Sequence, residues 1–326
     1  MIRVINALLA IVGGVGGALL LYWVLNKLVE MLPQKWEERL KPWAFILPAV
    51  AAIGLFLIYP AVRTFILSFA NSTSTAWVGL KNYTSLLGSR DFQITLGNTL
   101  LWIAVVPVVT VVLGLAVATL ADRLGSQGEK WSKSIIFLPM AISGVGAATI
   151  WRFIYEARPA GEPQIGLLNA VWTALGFDPV AWLTVDTLRF NSFLLMVVVI
   201  WAQVGFSMVL LSAAVKGVPV DTLEAARIDG ANERQVFFKV IVPQIWGTVI
   251  TVFITVLITV LKAFDIVFVM TNGNFNTDII AVRFFNELFR NGDNGRAAAI
   301  VVMLMIAVVP VVAYQVRHFR AEEAAR

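Results

Sequence analysis

An all-α fold, a polytopic bundle of transmembrane helices, follows from three features of this 326-residue chain. Hydrophobic residues make up 59% of it and charged residues 14%, against about 45 to 50% and about a quarter in ordinary soluble domains. Seven apolar runs, at approximately 5–25, 43–69, 95–121, 134–154, 192–214, 247–270 and 297–316, meet the length of roughly 20 residues that a hydrocarbon core about 30 Å thick requires. None has the dyad alternation of a barrel strand, and in lipid the backbone must satisfy its own polar groups, so the runs are expected to be helices.

The first run, preceded by Arg3, has the apolar character of a secretory leader. No small-residue cleavage pattern follows it, and the chain passes straight into Asn26-Lys27, so a retained span is expected. Its Gly13-x-x-x-Gly17 spacing would let another helix approach closely, a packing role rather than a transport one. Residues 1–42 are therefore taken as an extra N-terminal span with a charged connection, residues 43–317 as a six-helix core, and residues 318–326 as a tail. His318, the single histidine, has Arg317 and Arg320 as neighbours and is expected to lie at the membrane surface. With no cysteine and no partner ligands for that histidine, no metal site is expected.

Charge orients the bundle. Fourteen Lys and Arg, from Lys27 to Arg326, fall on the face that carries residues 216–246, and nine, from Arg3 to Arg296, fall on the other. The positive-inside rule makes the first face cytoplasmic. The net charge of +5 and the pI near 9.6 are thereby explained by juxtamembrane loops, without nucleic acid. Three outer segments are long, 70–94, 155–191 and 271–296. Within the second, Gly166 to Trp172 is expected to form a short helix at the interface, with Trp172 and Trp182 in the headgroup zone.

Between the fifth and sixth runs lies a polar stretch with a helix-turn-helix pattern, Glu224-Ala225-Ala226-Arg227-Ile228-Asp229-Gly230-Ala231 followed by Phe237 and Pro243. Pro219 suits a helix start, where its missing N–H costs nothing. Ala225 and Ala226 keep one face slim, Gly230 permits a backbone reversal at positive φ, and Pro243 marks the approach to the next span. This stretch resembles the EAA loop of ATP-binding-cassette importer permeases of the maltose-transporter type. The resemblance extends to Val78-Gly79-Leu80-Lys81-Asn82-Tyr83, Gly97 to Trp102, Leu138-Pro139 through Tyr155, Lys216-Gly217-Val218-Pro219 and Phe264 to Gly273, so it covers the core. Asn272-Gly273-Asn274-Phe275 departs from the Gly-Gly-Pro of many members.

The resemblance implies that Glu224, with Ala225, Ala226, Arg227, Asp229, Gly230 and Pro243, docks a cytoplasmic ATPase dimer that binds ATP and Mg. It also implies a second, similar permease, an extracytoplasmic solute-binding protein, a sugar or oligosaccharide as cargo, and residence in a bacterial or archaeal cell (inner) membrane. The chain itself is expected to hydrolyse nothing and to bind no cofactor. Its nearest approach to a nucleotide loop, Gly125-Ser126-Gln127-Gly128-Glu129-Lys130, has the wrong spacing and follows no strand.

Polar groups inside spans are costly and face the bundle interior. Thr248, Thr251, Thr255, Thr259 and Lys262 recur at three or four residues, which aligns them on one helical face. Two readings stand for them: a solute path, or hydroxyls bonding back to their own helix. Lys262 would snorkel or pair with Asp265 one turn on. Gln203, Phe206 and Ser207 beside Trp201 offer rings and hydrogen-bonding groups suited to a sugar, and Asn98 is either a further pathway residue or the cap of the third span. An ion-gradient transporter using Lys262 and Asp265 is the alternative, and a membrane enzyme fails for want of a catalytic cluster.

Overall fold

The computed structural model describes the backbone of residues 2–324. The readings given to the side chains of Arg3, His318 and Arg320, and to Arg326, fall outside the described residues. Helices dominate as expected; among the described residues there is no strand, only one bridge between Ala70 and Trp77. Five helices are long and apolar enough to cross a membrane, or up to seven if each of two sharply bent pairs is one span. Contacts divide the chain into two compact units, one ending at Ile66 and one starting at Leu67.

In the first unit, α1 (Ile2–Glu30) and α2 (Gln34–Ile53) are joined by three residues and stack Tyr22 on Phe45 at 5.8 Å. The charged stretch after the first run is helical on both sides of residues 31–33. Asn26 and Lys27 bond Glu30, and Lys41 bonds Glu37 one turn back, pairs that suit a helix surface. A π-type segment (Gly54–Ile58) leads from α2 into α3 (Tyr59–Leu67), so the stretch from Gln34 to Leu67 runs 34 residues, about 51 Å at 1.5 Å per residue. A Cβ at Gly13 or Gly17 would meet nothing within 4 Å, so that packing face carries no neighbour within this unit.

The second unit opens with α4 (Lys81–Gly88) and α5 (Arg90–Ala121). Ser89 caps α5 by accepting from Phe92 N at 3.2 Å, so Asn98 is not the cap. The fourth apolar run is not one continuous helix. It is α6 (Ser126–Phe137), a short 3-10 turn to Ala141, and α7 (Gly144–Ile154), bent by 104°. The turn carries Pro139, and Ser143 starts the new helix by accepting from Gly146 N at 3.1 Å. The short helix α8 (Leu167–Ala174) falls where expected. Trp182, however, is buried and donates Nε1–H to Asn169 Oδ1 at 3.0 Å; its polar tip is satisfied inside the protein and needs no headgroup.

α9 (Phe190–Lys216) packs on α5 through Gly114, where an added Cβ would lie 2.5 Å from Ser207 Cβ. It packs on α6 through Gly205, whose added Cβ would come 2.5 Å from the Ile136 carbonyl oxygen. Past α10 (Val220–Ile228), the chain continues through α11 (Glu233–Gln235), a π-type segment and α12 (Val242–Gln244) into α13 (Trp246–Leu261), with a 69° bend at Ile245. The predicted sixth run is then broken again at 262–264 before α14 (Asp265–Met270). Neither Gly nor Pro marks this break. Phe264 leaves helical geometry to join an aromatic cluster, 4.7 Å from Phe268 and 5.1 Å from Phe285. Trp102 and Val106 of α5, Leu195 and Met208 of α9 and Val252 and Val256 of α13 form the main core. The chain closes with α15 (Ile280–Phe285), a π-type segment (Asn286–Arg290) and α16 (Asn294–Ala324).

Candidate functional site: a projecting helix and a polar cavity

The polar stretch folds as the sequence indicates. Pro219 precedes α10 in an extended conformation (φ −58°, ψ 131°). The helix ends where Gly230 takes φ +85°, while Ala231 N bonds the Ala226 carbonyl and Gly230 N the Arg227 carbonyl, both at 3.0 Å. That pair of bonds is a Schellman close, which a left-handed residue at this position makes possible. Asn232 and Gln235 then cap each other's backbone at 3.0 and 2.8 Å, so the second helix starts two residues after the turn.

α10 leans inward through Leu223 and Ala226, both half-buried, with Leu223 against the main core. Its other face projects Val220, Glu224 and Ile228, with Ile228 85% exposed. These three recur every four residues and share one stripe. Glu224 has no hydrogen-bond or ion-pair partner among the described residues. Arg227, grouped with it from the sequence, turns away and donates Nε–H to Glu233 at 2.9 Å, bracing the turn. Val220 and Ile228 were missed by sequence reasoning, although their four-residue spacing about Glu224 was readable. Asp229 and Pro243 are exposed, and Ala225 lies bare beside Glu224.

Four of the eight pathway residues come together. Gln203 of α9, Thr259 of α13, Lys262 and Asp265 line one cavity of about 330 Å³, with Met140, Gly144 and Ala147 from the bent pair forming the opposite wall. Its volume is in the range of small-ligand pockets. Lys262 and Asp265 are exposed and do not pair with each other. The expected i,i+3 contact needs a continuous helix, and the break at 262–264 removes it. Asp265 lies instead against the start of α7, where a Cβ on Gly144 would come 2.5 Å from Asp265 Oδ2. A helix N-terminus carries partial positive charge and suits such a carboxylate.

The other four stand apart. Thr255 donates to the Thr251 carbonyl at 2.8 Å, as Thr251 does to Gly247 and Thr259 to Thr255, so these hydroxyls serve their own helix and only Thr259 also borders the cavity. Ser207 is fully buried at the α5 crossing, and Phe206 does not border the cavity. Asn98 is fully buried, donating to the carbonyls of Asn276 and Asp278 at 2.6 and 2.8 Å and accepting from Arg189. With Thr95 on Asp278 Oδ2 at 3.0 Å and Asn191 on the Phe275 carbonyl at 2.8 Å, it stitches the outer loop down. Asn272, Gly273, Phe275 and Asn276 of that loop all have positive φ, the local form taken by the segment that departs from Gly-Gly-Pro. A larger hollow of about 550 Å³ between α13 and α16 is lined by aliphatic residues apart from Lys262.

An all-helical membrane bundle with two sharply bent helix pairs and a polar helix-turn-helix between spans defines a transport permease. The family described as binding-protein-dependent transport system inner membrane component matches residues 111–320, and the chain belongs to it: a multi-pass inner-membrane subunit of an ATP-driven importer, not an enzyme, with the ATPase a separate subunit. The ion-gradient alternative falls with that assignment. The chain is 44% identical to an alpha-glucoside transport system permease protein of Rhizobium meliloti, over 98% of both chains. It is 47% identical to an osmoprotective compounds uptake permease protein of Synechocystis, over 86% of this chain and 100% of that one. A trehalose/maltose transport system permease protein of Thermococcus litoralis is 29% identical over 91% and 99%. In fold, the chain is similar to a chain of a bacterial ABC transporter that imports the acidic polysaccharide alginate, with a TM-score of 0.75 at 21% identity, covering 88% of this chain and 99% of that chain.

Proposed function

We propose that this permease carries a sugar or oligosaccharide, received from an extracytoplasmic binding protein, and that it does so beside a second, similar permease and above a cytoplasmic ATPase dimer. One observation carries the reading: the same unit holds a projecting helix with Glu224, which has no hydrogen-bond or ion-pair partner among the described residues, and, elsewhere, a cavity bordered by the amide of Gln203 and by Lys262 and Asp265, which form no ion pair among the described residues. Glu224, flanked by Val220 and Ile228, supplies an acidic contact between two apolar ones to a groove on the ATPase, which holds the ATP and Mg. Asp265 accepts hydroxyl hydrogens, Lys262 donates to hydroxyl oxygens, and Gln203 does both. The similarity to the alpha-glucoside and trehalose/maltose permeases supports a sugar among polyhydroxylated solutes.

ATP closing the ATPase pair favours one cavity orientation over the other, and only such differential affinity drives the switch. Purification of the intact complex tests the reading. The ATPase is expected to co-purify and to be lost on Glu224→Arg, and labelled alpha-glucosides are expected to enter vesicles only with ATP and the binding protein. Solute flux driven by an ion gradient through this chain alone, or a binding protein that ignores every sugar in a panel, would overturn it.

A further inference from the structure

We propose that Lys216 and Lys133, with Asp122, Glu129 and Ser212, form a charge-bridged link that carries movement of α10 to the bent pair α6–α7 and so to the wall of the polar cavity. Three elements meet at one corner beside α10: Asp122 ends α5, Glu129 and Lys133 lie on α6, and Ser212 and Lys216 lie at the end of α9. Lys133 Nζ donates to Asp122 Oδ1 at 2.6 Å, to Glu129 Oε1 at 2.7 Å and to Ser212 Oγ. Lys216 Nζ donates to Glu129 and stands 3.6 Å from Asp122 Oδ1. An isolated exposed pair contributes little. Here two ammonium groups share two carboxylates: the side chains of Lys133 and Asp122 are each 19% exposed and that of Glu129 22%, while Lys216, 52% exposed, closes the cluster from its outer side.

The link has little slack on either side. Lys216 is the last residue of α9, and only residues 217–219 separate it from α10. That connector is held: Gly217 N bonds the Ala213 and Ala214 carbonyls at 3.1 Å, and Val218 is buried. A shift of α10 therefore reaches Lys216 with little loss. Through Glu129 it reaches α6, whose far end is clamped to α9 at Gly205 against the Ile136 carbonyl. Beyond the 104° bend, α7 begins at Gly144, beside Asp265. The corner is held by named bonds and the rest of the path by close packing at Gly205 and Gly144, the kind of connection along which a substitution can alter coupling without touching a ligand.

The inference rests on the reading of α10 as the ATPase contact, and one experiment separates the two. The complete transporter, with ATPase, second permease and binding protein, is placed in proteoliposomes, and solute imported is measured per ATP hydrolysed. Lys216→Gln leaves all three bonds of Lys133 in place; it is expected to lower that ratio by roughly 2- to 30-fold while the ATPase still co-purifies. Lys216→Arg keeps the charge and is expected to restore the ratio. An unchanged ratio in Lys216→Gln, or equal losses in Gln and Arg that follow yield or thermal stability, overturns the link and reduces the cluster to packing. Ser212→Ala, which removes a neutral acceptor from Lys133 and a 3.2 Å donor to Asp122 Oδ1 but leaves every charge in place, is expected to give a smaller fall, and a larger one would also count against it. If the wild-type complex retains no ATPase, or Glu224→Arg fails to release it, the coupling reading fails first.

Discussion

Gly230 offers a clean test of whether the shape of the α10 turn matters to docking. Its φ is +85°, and a Cβ built on it would meet nothing within 4 Å. A substitution therefore pays only in backbone conformation, with no steric term. For an ordinary L residue the left-handed region costs about 1 to 2 kcal/mol. Asn tolerates it better, and a β-branched residue tolerates it worst. The turn is exposed, so the free variant sheds that cost by relaxing it; if the turn must be re-formed for the ATPase to seat, the cost returns in the affinity, as roughly 5- to 30-fold weaker binding for Gly230→Ala. The assay is titration of the ATPase subunit onto the permease complex in nanodiscs. The expected order of affinity is Gly, then Asn, then Ala, then Val. Gly230→Ala binding as well as wild type, or Gly230→Asn binding worse than Gly230→Ala, would refute the reasoning, because neither can arise from a left-handed requirement in open space.

Two further outcomes are expected. Gly205→Ala places a Cβ 2.5 Å from the Ile136 carbonyl oxygen and 2.7 Å from Phe137 Cα; both are backbone atoms that cannot swing aside, so overpacking of about 1 to 3 kcal/mol follows, read as a fall of roughly 2 to 10 °C in the unfolding midpoint, and an unchanged midpoint would show that α6 and α9 do not need this approach. Burial raises Asp278 to about 6, against the bond from Thr95. A carboxylate raised in the folded state favours folding when protonated, so its contribution is full below its ordinary value near 3.8 and is lost as pH rises through about 6. Protection of residues 271–280 from hydrogen exchange should therefore grow as pH falls from 7 to 4, corrected for the intrinsic rate, by at most about 3 kcal/mol. Asp278→Asn should flatten that dependence; a dependence unchanged in the variant would assign it to another group.

Much of the coupling stretch was legible because its signals are local. Pro219, Gly230 and the Asn232 to Gln235 pair act within a few residues of themselves, and the turn they make does not depend on distant neighbours. The orientation of Arg227 was not legible, since Glu233 lies across the turn that Gly230 creates. The pathway residues were half legible. A period of three or four placed Thr255, Thr259 and Lys262 on one face, yet the hydroxyls were bonded within the helix and Lys262 stood past its end. Asn98 reads as a polar intrusion in a span, and nothing near it in sequence foretells that its partners are Asn276 and Asp278.

The sequence by itself determined that the chain is a helical membrane bundle, because apolar length and the cost of an unbonded backbone in lipid leave few other solutions. It also determined the helix-turn-helix between spans, through residues whose conformational preferences are intrinsic. Only the tertiary structure decided where apolar runs break. The break before Asp265 contains neither Gly nor Pro; it exists because Phe264 packs with Phe268 and Phe285, a contact made by segments some twenty residues apart. That break separates Lys262 from Asp265 and, with the bend before Gly144, opens the polar cavity, so the site lies where long-range packing overrides the helical period.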